Sequence, residues 1–189
     1  MKLRVSTLLL CLAISFYAEA QMTLNSVTLP AKVNRDNTDL VLNGGGIRKK
    51  YGMIKVYVIG LYTSDKNKNG NDIISNDKPV AVRLTITSGM ATSSRMAEAI
   101  QEGFSKSMKG NTAPLQAQIN TLIETFKKEE IKEGDIFENW YIPGVGLKSY
   151  KNGNLVNTIP GADFKKAFFG IWLSDTPVDE DLKKQMLGQ

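Results

Sequence analysis

Met53-Ile54-Lys55-Val56-Tyr57-Val58-Ile59-Gly60-Leu61-Tyr62 is apolar on both alternating sets, with Tyr57, Ile59 and Leu61 on one and Val56, Val58 and Tyr62 on the other. A strand with two apolar faces is covered on both sides. The stretch before it, residues 39–43, is short and apolar, and Asn43-Gly44-Gly45-Gly46 reads as a turn that ends it. Residues 80–88 alternate instead. Val80, Val82, Leu84 and Ile86 point one way and Arg83, Thr85 and Thr87 the other, the pattern of a half-buried strand.

Two helices follow. Met96, Ile100, Phe104 and Met108 recur every four residues, with caps between Thr92 and Ser94 and a stop at Gly110. Leu115, Ile119, Leu122, Ile123 and Phe126 form a second stripe, with Pro114 in its first turn and Lys127-Lys128 at its end. Strands return at 135–142, 146–150 and 154–158, the last two joined through the hairpin signal Asn152-Gly153. A third helix, 162–173, carries Phe164, Phe168, Ile171 and Trp172 on one side. A short last helix begins near Pro177, with Asp179-Glu180-Asp181 in its first turn and Lys183-Lys184 towards its end, as the helix dipole favours. Strands, helices, strands, helices is an α+β order with an antiparallel sheet. Helices on one sheet face leave room for a pocket between the layers.

The first twenty residues read as a signal peptide: Lys2 and Arg4, an apolar run from Val5 to Tyr17, then Ala18-Glu19-Ala20. The apolar run is shorter than the roughly 20 residues that cross a bilayer, and Cys11 lacks the small residues that a lipid-attachment site wants before it. The reading is therefore a cleaved signal, 1–20, cut after about Ala20, and one domain, 21–189, in a periplasm or outside the cell. No later segment is apolar and long enough to span a membrane. The formal net charge of +5 is spread along the chain among acids, so nucleic acid is not an expected partner. Cys11 is the only cysteine and there is no histidine. Beyond the signal this excludes disulfides, the common zinc sites, a cysteine nucleophile and a Ser-His-Asp arrangement. No metal and no cofactor is expected.

Three features could carry chemistry. The glycines before Arg48-Lys49-Lys50 match neither a dinucleotide fingerprint nor a phosphate loop, so the segment reads as a tight turn with solvated basic residues. Arg48 still offers a planar fork suited to a carboxylate. Asp65-Lys66-Asn67-Lys68-Asn69-Gly70-Asn71-Asp72 starts like a calcium loop, but position twelve is Asn76 rather than a bidentate Glu, so it reads as an exposed polar loop between strands. Phe137, Trp140, Tyr141, Tyr150, Phe164, Phe168, Phe169 and Trp172 read as core, the alternative being the lining of an apolar ligand cavity.

Leu42-Asn43-Gly44-Gly45-Gly46-Ile47-Arg48-Lys49-Lys50, followed by Lys55-Val56-Tyr57-Val58-Ile59-Gly60-Leu61-Tyr62, resembles the opening motif of the chalcone isomerase-like superfamily. Phe169-Gly170-Ile171-Trp172-Leu173-Ser174-Asp175-Thr176-Pro177-Val178-Asp179 resembles its closing motif, and the helix from Ser93 through Phe104 falls where the family has its first sheet-covering helix. The resemblance spans about 39–187. It implies an open-faced β-sandwich, a large antiparallel sheet covered by a layer of helices, with a cleft between them.

That family includes plant chalcone isomerases, non-catalytic relatives that bind fatty acids, and exported bacterial members. The isomerases use an arginine, a threonine, a tyrosine, an asparagine and a late threonine or serine. Arg48 matches the first, Tyr57 stands in place of the threonine, and Ser93, Ile100 and Ile171 fall near the others. The fatty-acid-binding relatives hold the ligand carboxylate with an arginine and a tyrosine at the first two positions, which Arg48 and Tyr57 match. With the signal peptide read at 1–20 giving export, the resemblance implies a protein that binds a fatty acid or similar amphipathic carboxylate through Arg48 and Tyr57, with no catalytic residue expected. Two other readings stand beside it. One is an intramolecular lyase or isomerase working through Arg48 and Tyr57; the other is a structural or interaction protein whose cleft has collapsed around Phe164, Phe168 and Trp172. They part on whether a cavity opens beside Arg48 and Tyr57.

Overall fold

The doubly apolar strand lies inside a sheet with a core on each face. The structure is a computed structural model that describes residues 21–189 apart from 51 and 128; the signal peptide read at 1–20, with Cys11, lies outside the described residues. Strands β1 (Met22–Leu24) and β2 (Val27–Leu29) form a separate hairpin. Strands β3 (Lys32–Arg35), β4 (Thr38–Lys50), β5 (Ile54–Thr63), β6 (Val80–Ile86), β7 (Ile136–Ile142), β8 (Gly146–Lys151) and β9 (Asn154–Ile159) form one antiparallel sheet in chain order. The helices are α1 (Gly70–Ser75), α2 (Ser93–Ser107), α3 (Gln116–Lys127), α4 (Ala162–Leu173) and α5 (Glu180–Met186). None of the described helices is long and apolar enough to cross a membrane. The expected α+β class with a helix-covered antiparallel sheet is what the chain adopts.

On the helix face, Tyr57, Ile59 and Leu61 of β5 join Leu84, Phe137, Phe104, Leu122 and Phe168 in the larger core. On the other face Val58 and Tyr62 pack with Trp140, Leu40 and Leu29 in a smaller core closed by the β1–β2 hairpin. The sheet is curled. In a flat sheet β3 and β8, five positions apart, would stand about 24 Å from each other, yet Lys148 on β8 donates to the Asp36 carboxylate beside β3 at 2.6 Å.

Residues 80–88 are half-buried as read: Val80, Val82, Leu84 and Ile86 are buried, while Arg83, Thr85 and Thr87 are only partly covered. On that polar side Arg83 and Arg35 both donate to the Glu138 carboxylate, at 2.6 and 2.7 Å. Glu138 is only 6% exposed, and two guanidiniums satisfy a charge that would be costly if buried alone.

Gly44-Gly45-Gly46 is not a turn either. β4 continues through it, with a register shift between Leu42 and Gly44. The glycines are there for close approach. A Cβ on Gly44 would stand 2.7 Å from the Met186 carbonyl oxygen, and one on Gly46 would stand 2.6 Å from Leu182 Cδ1, so α5 needs both bare. Gly45 faces the opposite side, where Leu29 and the Ile59 carbonyl leave no room for a side chain. The segment that resembles a calcium loop is also more ordered than an open loop. Asn69 caps α1 by accepting from Asp72 N at 3.1 Å, the Asn67 amide donates to the Asp72 carboxylate, and Ile73 and Ile74 are buried. Among the described residues no group of three or more His, Cys, Asp or Glu is placed to hold a metal ion.

Lys165 of α4 closes the other end of α1. Its buried ammonium donates to the Ile73 and Asn76 carbonyls, both at 2.6 Å. Burial pulls its pKa down from 10.5 to about 8, against the upward pull of Asp77 and Asp72. The unfolded lysine keeps its proton to about pH 10.5 and the native one releases it near pH 8, so between those values the unfolded state binds more protons and stability rises with pH. Lys165→Met strands both carbonyls. Urea unfolding should show a loss of about 2–4 kcal/mol, and the variant should lack the wild-type rise in stability from pH 8 to 10.

Candidate functional site

Gly44, Gly46 and Arg48 alternate onto the helix face of β4, because side chains on a strand repeat every second residue. Arg48 is the register partner of Tyr57 on β5, so the two side chains stand side by side on that face. Arg48 Nη1 donates to its neighbour's carbonyl, Lys49 O, at 2.8 Å and to Asp179 Oδ2 at 2.9 Å. Asp179 is the N-cap of α5, and its other oxygen, Oδ1, accepts from Leu182 N at 3.0 Å. One carboxylate thus starts the helix and meets the guanidinium.

Tyr57 is buried, and its hydroxyl oxygen accepts a hydrogen bond from Trp172 Nε1 at 3.1 Å. Burial pushes the phenol pKa up, and this outweighs the lowering by the Trp172 bond and the Arg48 charge. The phenol is therefore neutral at ordinary pH and keeps its proton. Among the described residues no acceptor takes that proton, so Tyr57 has a donor to give.

A cavity of about 280 Å³ opens against this pair. Its floor crosses four strands, from Arg48 and Tyr57 through Leu84 to Asn139, or about 14 Å at the usual strand spacing. Its roof is made by Met96 and Ile100 of α2, Leu122 and Phe126 of α3, and Ile171 and Trp172 of α4. Arg95, Glu98 and Glu102 lie along the rim on the exposed side of α2. The arrangement is a largely apolar slot with Arg48 and Tyr57 at one end of its floor and Asn139 at the other, an apolar space with a few polar groups of the kind that takes a small molecule.

The structure brings together Arg48, Tyr57, Ile100 and Ile171 from the residues singled out in the sequence, and leaves Ser93 apart. The Ser93 hydroxyl is at the start of α2, where it donates to Glu129 O at 3.4 Å. The cleft has not collapsed. Phe164 stacks on Phe104 in the core at 5.4 Å, while Phe168 and Trp172 form walls rather than a plug. Asp179, which meets Arg48, and Asn139 on the cavity floor were not picked out as site residues from the sequence. Asp179 read as a helix-dipole residue and as the last residue of the closing motif. Asn139, 3% exposed and held through Oδ1 by Ser149 Oγ at 2.8 Å, was signalled by a polar side chain at the inward position between Phe137 and Tyr141.

The family model described as chalcone isomerase-like matches residues 21–188. The chain belongs to that family. No curated protein matches it in sequence. Among solved structures it is similar to the crystal structure of an Arabidopsis thaliana fatty-acid binding protein, with a TM-score of 0.70 and 17% identity over 89% of this chain and 96% of that one. At that identity the likeness is one of fold: a curled seven-stranded antiparallel sheet packed with helices. In this chalcone isomerase-like chain the cavity lies between those two layers.

The Trp172–Tyr57 bond is testable by itself. Trp172→Phe keeps a ring on the wall and removes the donor, leaving a buried phenol oxygen unmet. Chemical unfolding should show a loss of about 1 kcal/mol; no measurable change would mean that the bond contributes nothing to holding α4 on the sheet.

Proposed function

We propose that this protein is an exported carrier for a fatty acid or a similar amphipathic carboxylate, bound in the cavity with its head at Arg48 and Tyr57. The observation that carries this reading is the apolar cavity opening directly against the register pair Arg48–Tyr57. Family membership and a structural neighbour described as a fatty-acid binding protein support it. Both hydrogen bonds that Arg48 makes to described residues use Nη1, which leaves Nε and Nη2 for a ligand, and Tyr57 adds its hydroxyl proton. Each methylene taken out of water contributes about 0.8 kcal/mol, so a modest tail offsets a substantial part of the association cost. At about 280 Å³ the cavity lies near the small end of ligand pockets, roughly 300–1,000 Å³, which suits a short to medium chain.

An isomerase would keep Arg48 alone of the five polar groups named above. Ile100 and Ile171 present hydrocarbon to the cavity, and no observation at the site favours ring closure.

Native mass spectrometry of protein taken from its own compartment tests both parts of the proposal. The polypeptide mass should lack residues 1–20, and a second species should carry the added mass of an aliphatic acid. Arg48→Met should weaken binding of added fatty acid by 10- to 100-fold, the value of a charge-assisted pair, and Tyr57→Phe by less. Bare polypeptide alone, with Arg48→Met binding as the wild type does, would overturn the reading.

A further inference from the structure

The charge at the polar end of the cavity is balanced before any ligand arrives. Arg48 and Asp179 are 2.9 Å apart, with side chains only 25% and 23% exposed. Asp179 is held there by its surroundings. Its Oδ1 is committed to Leu182 N, Val178 N donates to Ile171 O at 2.9 Å just before it, and α5 is seated on the bare backbone of Gly44 and Gly46. The carboxylate so held takes Nη1 of the guanidinium and stands beside the Nε and Nη2 donors that a ligand's carboxylate would use.

We infer that Asp179 is a specificity-determining residue of this site, a resident negative charge on Arg48 that narrows its preference for acids over neutral amphiphiles of the same chain. The inference rests on the reading of the cavity as an amphiphile site. The physics is like-charge repulsion. A ligand carboxylate on the remaining donors of Arg48 would sit within a few ångströms of the Asp179 carboxylate, in a partly buried place where water screens weakly. A neutral head, such as a hydroxyl, takes the Tyr57 proton and an Arg48 donor without that repulsion.

Asp179→Asn separates charge from structure, since Asn caps a helix as well as Asp does and α5 keeps its first turn. The probes are decanoic acid and 1-decanol, titrated calorimetrically against wild type and variant. The ratio of acid to alcohol affinity should rise about 10- to 100-fold in the variant, the effect of removing a like charge at this distance. An unchanged ratio, or weaker acid binding in the variant, would overturn the inference; the second result would make Asp179 the group that positions Arg48. If neither probe binds either protein, the amphiphile reading itself falls and this inference with it. Asp179→Ser, which also caps, carries the same comparison should the Asn variant fail to fold.

Discussion

The distance between α5 and β4 is set by two missing side chains, and much of the molecule is arranged around that distance. With hydrogen at Gly44 and Gly46, the last helix lies against the strand backbone itself. Asn43, beside them, fastens the arrangement. Its amide nitrogen donates to the Met186 and Asn67 carbonyls, each at 2.9 Å, and its oxygen accepts from Asn67 N at 2.6 Å and from the Thr63 hydroxyl at 3.3 Å. One side chain thus joins β4, the segment after β5 and the end of the chain. A Cβ on either glycine would push α5 outward, and the Asp179 carboxylate would leave Arg48 with it.

The two faces of the sheet divide their tasks. On the hairpin side the charges are closed upon one another: Glu138 takes both Arg35 and Arg83, and the Arg35 guanidinium lies 3.9 Å over the Tyr150 ring. The Tyr62 hydroxyl is buried there with no hydrogen-bond partner among the described residues, and burial raises its pKa. That face pairs Glu138 with both guanidiniums internally. On the helix side Met96, Ile100, Leu122, Phe126, Ile171 and Trp172 of α2, α3 and α4 face the sheet across the cavity. The open space falls on the face where Arg48, Tyr57 and Asn139 stand in a mostly apolar wall.

How much of this was legible follows from what kind of signal each part sends. Helices α2, α3 and α4 show a repeat long enough to read, and α4 spans the expected 162–173. Asn152-Gly153 forms the expected hairpin turn, both residues at positive φ, 49° and 85°. Strands β1, β2 and β3 and helix α1 have three, three, four and six residues, too few for any periodicity to show. The triple glycine was misread because a glycine permits a turn and a close contact equally well. What decides between them is the partner across the gap, α5, which lies some 140 residues further on. The same limit hid half the site. Arg48 and Tyr57 could be paired through a resemblance, whereas Asp179 looked fully employed by its own helix.

The contacts at the polar end explain why two stretches at opposite ends of the domain read as a matched pair of motifs. The first supplies Arg48 and Tyr57 from adjacent strands; the second supplies Trp172 from α4 and Asp179 from the cap of α5. Arg48 meets Asp179 across 131 residues and Tyr57 meets Trp172 across 115. Each motif without the other is a common object, a glycine-containing strand or an amphipathic helix with an acidic start. Together they make one polar cluster with a guanidinium already paired and a phenol proton still unspent, set at the end of an apolar slot. On the proposed reading, a head group at this cluster would meet the phenol as a free donor and the guanidinium as a shared one, so Tyr57 would orient any oxygen-bearing head while the Asp179 charge would temper what Arg48 adds for an acid.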